Sequence, residues 1–301
     1  MFKLILKYLF FTTLFLNTLF AKEYVIGFAQ DTLANDWRAA QVKEVQNEVS
    51  KYPNLKLIVK DAKGKVSNQI RDIQRFINQN VDFIITSPKD AKVTSLVLKK
   101  AIDKGIKVIL ISRTIDTDDY TAFVSANNYT IGVDAAKFLA KYMNYKGTIL
   151  MLTGVKGASS TIQREEGFTS IIKRYPNMKI VKRRANYLRN DAIKVMEDIY
   201  KKDIKFDAIY SHSDSMLIGA RSVMQRLNKP IIPSISIDYI KETKIAIKKG
   251  QQLASFLYPT AGKEGVRLIV DIINKKKIKK NTTLDTIMIT KQNVDKIEPI
   301  F

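Results

Sequence analysis

Carboxylates, guanidinium groups and one indole stand where the chain leaves its apolar runs, and these side chains can do chemistry. Gln30, Asp31, Asn35, Trp37 and Arg38 follow the first run, Ser87 the third, and Ser112 with Arg113 the fourth. Further along, Arg164, Tyr187, Ser213, Asp214 and Asp238 hold matching places. Paired donors and acceptors of this kind meet hydroxyl groups, and an indole covers the apolar face of a ring, so the set suits a small polyhydroxylated ligand. The chain has no cysteine and a single histidine, His212. Thiolate and multi-histidine metal sites and cysteine nucleophiles are thereby excluded, and binding without catalysis, cofactor or metal is expected. Asp31 and Asp238 could be read as a hydrolytic pair, but such pairs need tuned neighbours and a set separation that sequence does not display.

Other motifs have plainer readings. The stretch 154–160 (GVKGASS) lacks the Gly-Lys-Ser/Thr ending of a phosphate loop and reads as a tight turn before a helix. Asp116, Asp118 and Asp119 lack the glycine and terminal glutamate of a calcium loop. Asp214 reads equally as a cap for a helix over 215–226.

The elements that must position these residues form a repeating β/α array. Runs at 24–29, 55–59, 82–86 and 107–111 are short, β-branched and bounded by polar residues, as buried parallel strands are. Val66, Ile70, Ile73, Phe76 and Ile77 share one helical face, and Gly105 suits a helix end. Strands at 148–152, 179–181, 206–210 and 231–237 repeat the order at a common offset of about 124 residues, with helices at 161–174, 190–201 and 213–226. A strand at 252–257, a helix at 260–274 and a last strand at 284–289 complete the array. The expected fold is α/β: two Rossmann-like doubly wound lobes with parallel sheets, whose strand ends face one cleft.

Residues 1–21 carry Lys3 and Lys7, a long apolar run and no acidic side chain, ending at Ala21. This is the pattern of a secretory signal, so a periplasmic location is expected. The formal net charge of +22 first points to nucleic acid or an anionic surface. Only 12 of the 51 basic residues are Arg, however, and no DNA-binding domain precedes the first strand, so a repressor is disfavoured.

Taken in order, VIGFAQ, NDWRAAQ, DFIITSPKDA, VILISRTID, TGVKGASSTIQREEGF, IYSHSDSMLIGA and SIDY resemble the periplasmic sugar-binding proteins of the ribose/galactose class (type I periplasmic binding proteins), nearest to galactofuranose-type binders. The resemblance implies a three-crossing hinge near Asn127–Asn128, 257–259 and 284–287. It implies an N-terminal lobe of 22–126 plus 259–284 and a C-terminal lobe of 127–258 plus 285–301. It also implies that Trp37 stacks on a sugar ring, that Asp31 and Asn35 bond to hydroxyls, that Arg113 and Arg164 donate from opposite lobes, and that Asp238 accepts. Arg38 and Tyr187 would line the pocket. The implied partners are a small sugar or polyol and an ABC permease, or else a sensor kinase or chemoreceptor, with the protein a monomer.

The chain departs from the family pattern at Ser112, Ser213 and Asn127, where Asp, Asn and Asp are usual. A neutral Ser112 in place of a carboxylate leaves Arg113 without its neighbouring counter-charge. Either a water fills the gap or an anionic or furanosyl ligand is expected.

Overall fold

A computed structural model describes residues 22–301, so the secretory signal expected at 1–21 lies outside the described residues. The elements run β1 (Tyr24–Gln30), α1 (Asp36–Val49), β2 (Leu55–Asp61), α2 (Val66–Asn78), β3 (Phe83–Thr86), α3 (Ala91–Asp103), β4 (Lys107–Ile111) and β5 (Ala122–Ala126). There follow α4 (Asn128–Tyr142), β6 (Gly147–Thr153), α5 (Ser159–Ile172), β7 (Met178–Arg184), α6 (Arg189–Lys201), β8 (Ala208–Ser211), α7 (Asp214–Arg226), β9 (Ser234–Asp238) and α8 (Lys241–Lys248). The chain ends with β10 (Ala254–Leu257), α9 (Gly262–Ile273), β11 (Asn281–Leu284) and β12 (Ile287–Thr290).

Two six-stranded sheets result, ordered β2-β1-β3-β4-β5-β11 and β7-β6-β8-β9-β10-β12. The orders are identical position by position, which is the expected duplication. The second-half strands β6 to β9 start 123, 123, 125 and 127 residues after β1 to β4, so the spacing widens along the chain. The last strand expected at 284–289 is in fact two strands in different sheets. β11 lies parallel to β5, and β12 runs antiparallel to β10, the one antiparallel pairing in sheets otherwise parallel. The polar Asp285 and Thr286 between them carry the chain from one sheet to the other. The other passages are at Asn127, and at residues 258–261 between β10 and α9.

Three elements have no counterpart among those read from the sequence: β5, α4 and α8. β5 (AFVSA) is too short and too rich in small residues to stand out. α4 carries Ala135, Ala136 and Ala140 on its buried face, where bulkier residues would have shown a helical stripe.

Each sheet is dry on both faces. Ile26, Phe28, Val45, Ile85, Ile109 and Ile269 pack on one side of the first, and Ile73, Phe76, Ile84, Leu98 and Val108 on the other. The second sheet is covered by Ile131, Leu139, Phe168 and Ile237 on one side and by Met196, Leu217 and Val223 on the other.

Helices α4 and α5 come close enough that side chains are excluded between them. A Cβ on Gly132 would lie 2.4 Å from the Arg164 carbonyl oxygen and 2.9 Å from the Phe168 nitrogen, and one on Gly167 would lie 2.1 Å from the Tyr129 oxygen. Because Arg164 belongs to this seam, helix packing sets its position. Gly132→Ala is therefore expected to cost about 1–3 kcal/mol of stability through overpacking, read as a lowered urea midpoint.

Candidate functional site

The cleft lies beyond the carboxyl ends of both sheets, where the strand order reverses and where open α/β sheets bind ligands. Asp31, Thr32, Asn35, Trp37, Arg38, Ser112 and Arg113 line a cavity from the first lobe, facing Val155, Ser160, Arg164, Asn186, Tyr187, Ser213 and Asp238 from the second, with Tyr258 between them. The space, including its open mouth, is about 420 Å³.

At its centre is a buried ion cluster. Asp31 Oδ2 accepts from Arg113 Nη1 at 2.7 Å, and Asp31 Oδ1 lies 3.3 Å from Arg38 Nε. Burial would push the Asp31 carboxyl up, but the charges of Arg113 and Arg38 outweigh it and hold the group below its ordinary value. Burial and the like charge of Arg113 push Arg38 down to about 10, so it stays protonated at neutral pH. Arg38 Nη1 also donates to Gln41 Oε1 at 3.0 Å, Ser87 Oγ at 2.7 Å and Ser112 Oγ at 3.0 Å. Ser112 sits at φ 62°, a left-handed conformation that turns its hydroxyl towards this guanidinium.

Arg113 is thus not left without a counter-charge. The expectation of a bare guanidinium, drawn from Ser112, is corrected: Asp31 supplies the anion from the neighbouring loop.

The second lobe presents Arg164, whose Nε donates to Asn128 Oδ1 at 2.8 Å and whose Nη1 donates to the His212 carbonyl at 2.5 Å. Its guanidinium carbon lies 4.5 Å from the Tyr258 ring centre and 5.8 Å from that of Tyr187, while Arg113 approaches Tyr187 from the other lobe at 5.4 Å. Tyr187 is held by Thr161 Oγ1 at 2.8 Å and Ser160 Oγ at 3.2 Å. Its ring fills the space over Gly154, where a Cβ would come within 2.0 Å. The glycine that suggested a phosphate loop makes room for an aromatic wall. Asp238 is buried at the end of β9 and lines the cavity. Burial and the nearby Asp214 carboxyl push it well above the ordinary carboxylate range, against the pull of Arg164 and Arg38.

Of the fourteen residues singled out from the sequence, ten line the cavity: Asp31, Asn35, Trp37, Arg38, Ser112, Arg113, Arg164, Tyr187, Ser213 and Asp238. The other four do not. Gln30 points inward, donating to Gln41 Oε1 at 2.9 Å and accepting from the Asp31 nitrogen at 2.9 Å. Ser87 is buried behind Arg38. Asn127 is exposed and caps α4, accepting from the Thr130 nitrogen, while its neighbour Asn128 turns inward. Asp214 is buried in the second lobe, and the cap of α7 is Ser213.

Two lining residues are already engaged. Asn35 caps α1 through the Arg38 nitrogen and donates to the Tyr187 carbonyl of the other lobe at 2.7 Å. The indole of Trp37 donates to the Tyr258 carbonyl at 3.0 Å and packs against its ring at 5.5 Å, so part of the surface expected for a sugar is taken by protein.

Sequence reasoning missed Thr32, Asn186 and Tyr258. Tyr258 stands in one of the passages between sheets, and its hydroxyl meets Ser125 Oγ at 3.1 Å and Asn128 Nδ2 at 3.2 Å. An aromatic inside an expected crossing was the available signal.

Hydrogen bonds from backbone nitrogens close the lobes on each other. The Ala91 nitrogen donates to the Gly157 oxygen at 3.0 Å, and the Thr114 nitrogen to Ser159 Oγ at 2.9 Å. Among the described residues there is no group of three His, Cys, Asp or Glu placed to hold a metal, and no helix long and apolar enough to cross a membrane.

Asp31 carries a testable consequence within the first lobe. Its lowered pKa means that its contribution to stability is complete above the ordinary value of 3.8 and is lost as pH falls through the depressed one. Asp31→Asn, which strands two buried cations, is expected to cost about 3–5 kcal/mol at pH 7. The deficit should shrink below pH 3.8 in parallel urea titrations of variant and wild type.

A family model described as a periplasmic binding protein domain matches residues 26–277. The galactofuranose-binding protein of Escherichia coli is 32% identical over 247 residues, 78% of this chain and 77% of that protein. The ribose import binding protein of Bacillus subtilis is 28% identical over 261 residues, 86% of this chain and 85% of that one. Among solved structures, the fructose-binding periplasmic domain of a hybrid two-component system superposes with a TM-score of 0.85 at 29% identity, covering 91% of this chain and 92% of that one.

Proposed function

The chain belongs to the periplasmic binding protein domain family, and from that premise we propose that it holds a furanose-type sugar or related polyol between its lobes and presents it to an ABC importer. The observation that carries this reading is the convergence of Arg38, Arg113 and Asp31 from one lobe with Arg164, Tyr187 and Asp238 from the other on one cavity. Hydroxyls of a furanose would accept from the three guanidinium groups and donate to Asp238. Trp37 and Tyr258 would border the ring. The similarity to a galactofuranose binder and to a ribose import protein supports both ligand class and role. The lobes would be 22–126 plus 259–284 and 127–258 plus 285–301, swinging about the passages between the sheets. The chain works without cofactor or metal, as a monomer, and is exported by the segment 1–21.

Catalysis is not part of this reading. Asp31, one half of the carboxylate pair a hydrolase would use, is ion-paired to Arg38 and Arg113, which weakens it as a base or nucleophile. A second output, presentation to a sensor kinase or chemoreceptor, draws support from the fructose-binding domain of a two-component system.

Galactofuranose, ribose and fructose provide the test. A sugar that binds at 100 times its Kd stabilises the folded state by about 2.7 kcal/mol, visible as a raised Tm, and changes the emission of Trp37, the only tryptophan. Arg164→Ala is expected to weaken binding by about 2–5 kcal/mol while the protein stays folded. No thermal shift with any of these or related polyols would sink the sugar reading.

A further inference from the structure

Asp214 was expected in the cleft and is instead buried beneath it. Its Oδ2 accepts from the Ile240 nitrogen at 2.9 Å, and its Oδ1 accepts from Ser255 Oγ at 2.8 Å and from the Ser236 hydroxyl. Ser236 and Ile240 stand two residues before and two residues after Asp238. Between them the backbone turns sharply, with Asp238 at φ 125° and Tyr239 at φ 60°, conformations that side-chain-bearing residues rarely adopt. The turn persists because its surroundings over-determine it. Asp214 grips it on both sides, the Tyr239 hydroxyl donates to the Ile297 oxygen at 3.0 Å, and the Tyr258 nitrogen donates to the Asp238 oxygen at 3.3 Å.

Burial pushes the Asp214 carboxyl above its ordinary value, while its hydrogen bonds pull the other way. Gln252 Nε2 donates to Ser236 Oγ at 2.6 Å, which leaves the Ser236 proton for Asp214. Every polar partner of Asp214 is then a donor, the environment of a carboxylate and not of a carboxylic acid. When ionised, Asp214 acts on Asp238 from beneath the cavity and pushes it up.

We propose that Asp214 is a positioning residue for ligand recognition: one buried carboxylate clamps the turn that aims Asp238 into the cavity and, when ionised, shifts the pH range in which Asp238 accepts a ligand hydroxyl. The proposal rests on the reading of Asp238 as a ligand contact. The charged groups facing Asp238 are Asp214 from α7, Arg164 from α5 and Arg38 from α1. Arg221, also on α7, is the cation that senses Asp214. Burial pushes Asp238 up most and Asp214 adds to it, while the two arginines favour the ionised form. Affinity should accordingly fall as the medium is acidified through the Asp238 transition.

The test compares wild type with Asp214→Asn, Asp214→Ala and Asp238→Asn. Asp214→Asn keeps the shape and an acceptor for Ile240 but removes the charge. Calorimetric titration with galactofuranose from pH 4.5 to 8 is paired with carbon-13 NMR of the aspartate carboxyls in the unliganded protein, where Asp238→Asn assigns the Asp238 signal. The Asp238 signal in Asp214→Asn should titrate about one pH unit lower, and the acid loss of affinity should move down with it. Asp214→Ala, which removes the charge and also frees the turn, should weaken binding about tenfold above the Asp238 transition. If Asp238→Asn binds as wild type does, the ligand reading of the cavity falls and the proposal with it. If Asp238→Asn loses binding while Asp214→Asn keeps the wild-type Asp238 titration, the positioning role alone falls. A structural defect would lower Tm without moving the NMR midpoint, and that result also overturns the proposal.

Discussion

Two guanidinium groups cannot share a dry cleft unless a carboxylate stands between them, and in this protein Asp31 meets that requirement for Arg38 and Arg113. The rest of the first lobe's binding face follows from it. Asp31 stands in place because its nitrogen is held by Gln30 and because β1 ends beside β3, where the strand order reverses. Arg38 reaches it because Asn35 starts α1 three residues earlier. Arg113 reaches it from the loop after β4. With the anion in place, both arginines can line one cavity. Without it, two cations in a site of low dielectric would drive the loops apart.

The second lobe solves the same problem differently. Arg164 has no carboxylate bonded to it and is satisfied by neutral oxygens, Asn128 Oδ1 and the His212 carbonyl, and by the faces of Tyr187 and Tyr258. The neighbouring His212 is buried and pushed well below its ordinary value by that burial and by Arg164, so it stays neutral and adds no competing charge. Asn128 links this cation to the passage between lobes, because its Nδ2 meets the Tyr258 hydroxyl, which in turn meets Ser125 and the Ser112 oxygen. Arg164 is thereby tied by hydrogen bonds to the passages between the sheets.

The duplicated sheet order was legible because buried parallel strands leave continuous β-branched runs, and those runs recur at a nearly fixed interval. What was not legible had weak side-chain signals. β5 is short and small-sided, α4 hides an alanine face, and the final run of apolar residues was read as one strand because a two-residue polar break looks the same whether the chain continues or changes sheets. The site was legible by position, since a polar residue just past a strand end on this fold faces the cleft. Position does not tell which of two adjacent polar residues turns inward. Asn127 caps outward while Asn128 points in, and Ser213 faces the cavity while Asp214 points into the lobe. Helix periodicity decides these pairs, and it is set by where each helix begins, the least readable feature of a sequence.

That one-residue ambiguity bears on the chemistry the cleft can perform. Three arginines line it against two carboxylates, and Asp31 is already occupied by two of those arginines. Asp238 is thus the carboxyl left open to the space, and donors outnumber acceptors around it. A ligand suited to this imbalance carries many oxygens able to accept, with one hydroxyl placed to donate towards Asp238. Had Asp214 faced the cavity as its neighbour does, a second free carboxylate would have balanced the donors and favoured a ligand rich in N–H groups. Turned inward instead, the same carboxylate supports Asp238 from behind, so a residue outside the cavity helps to decide what enters it.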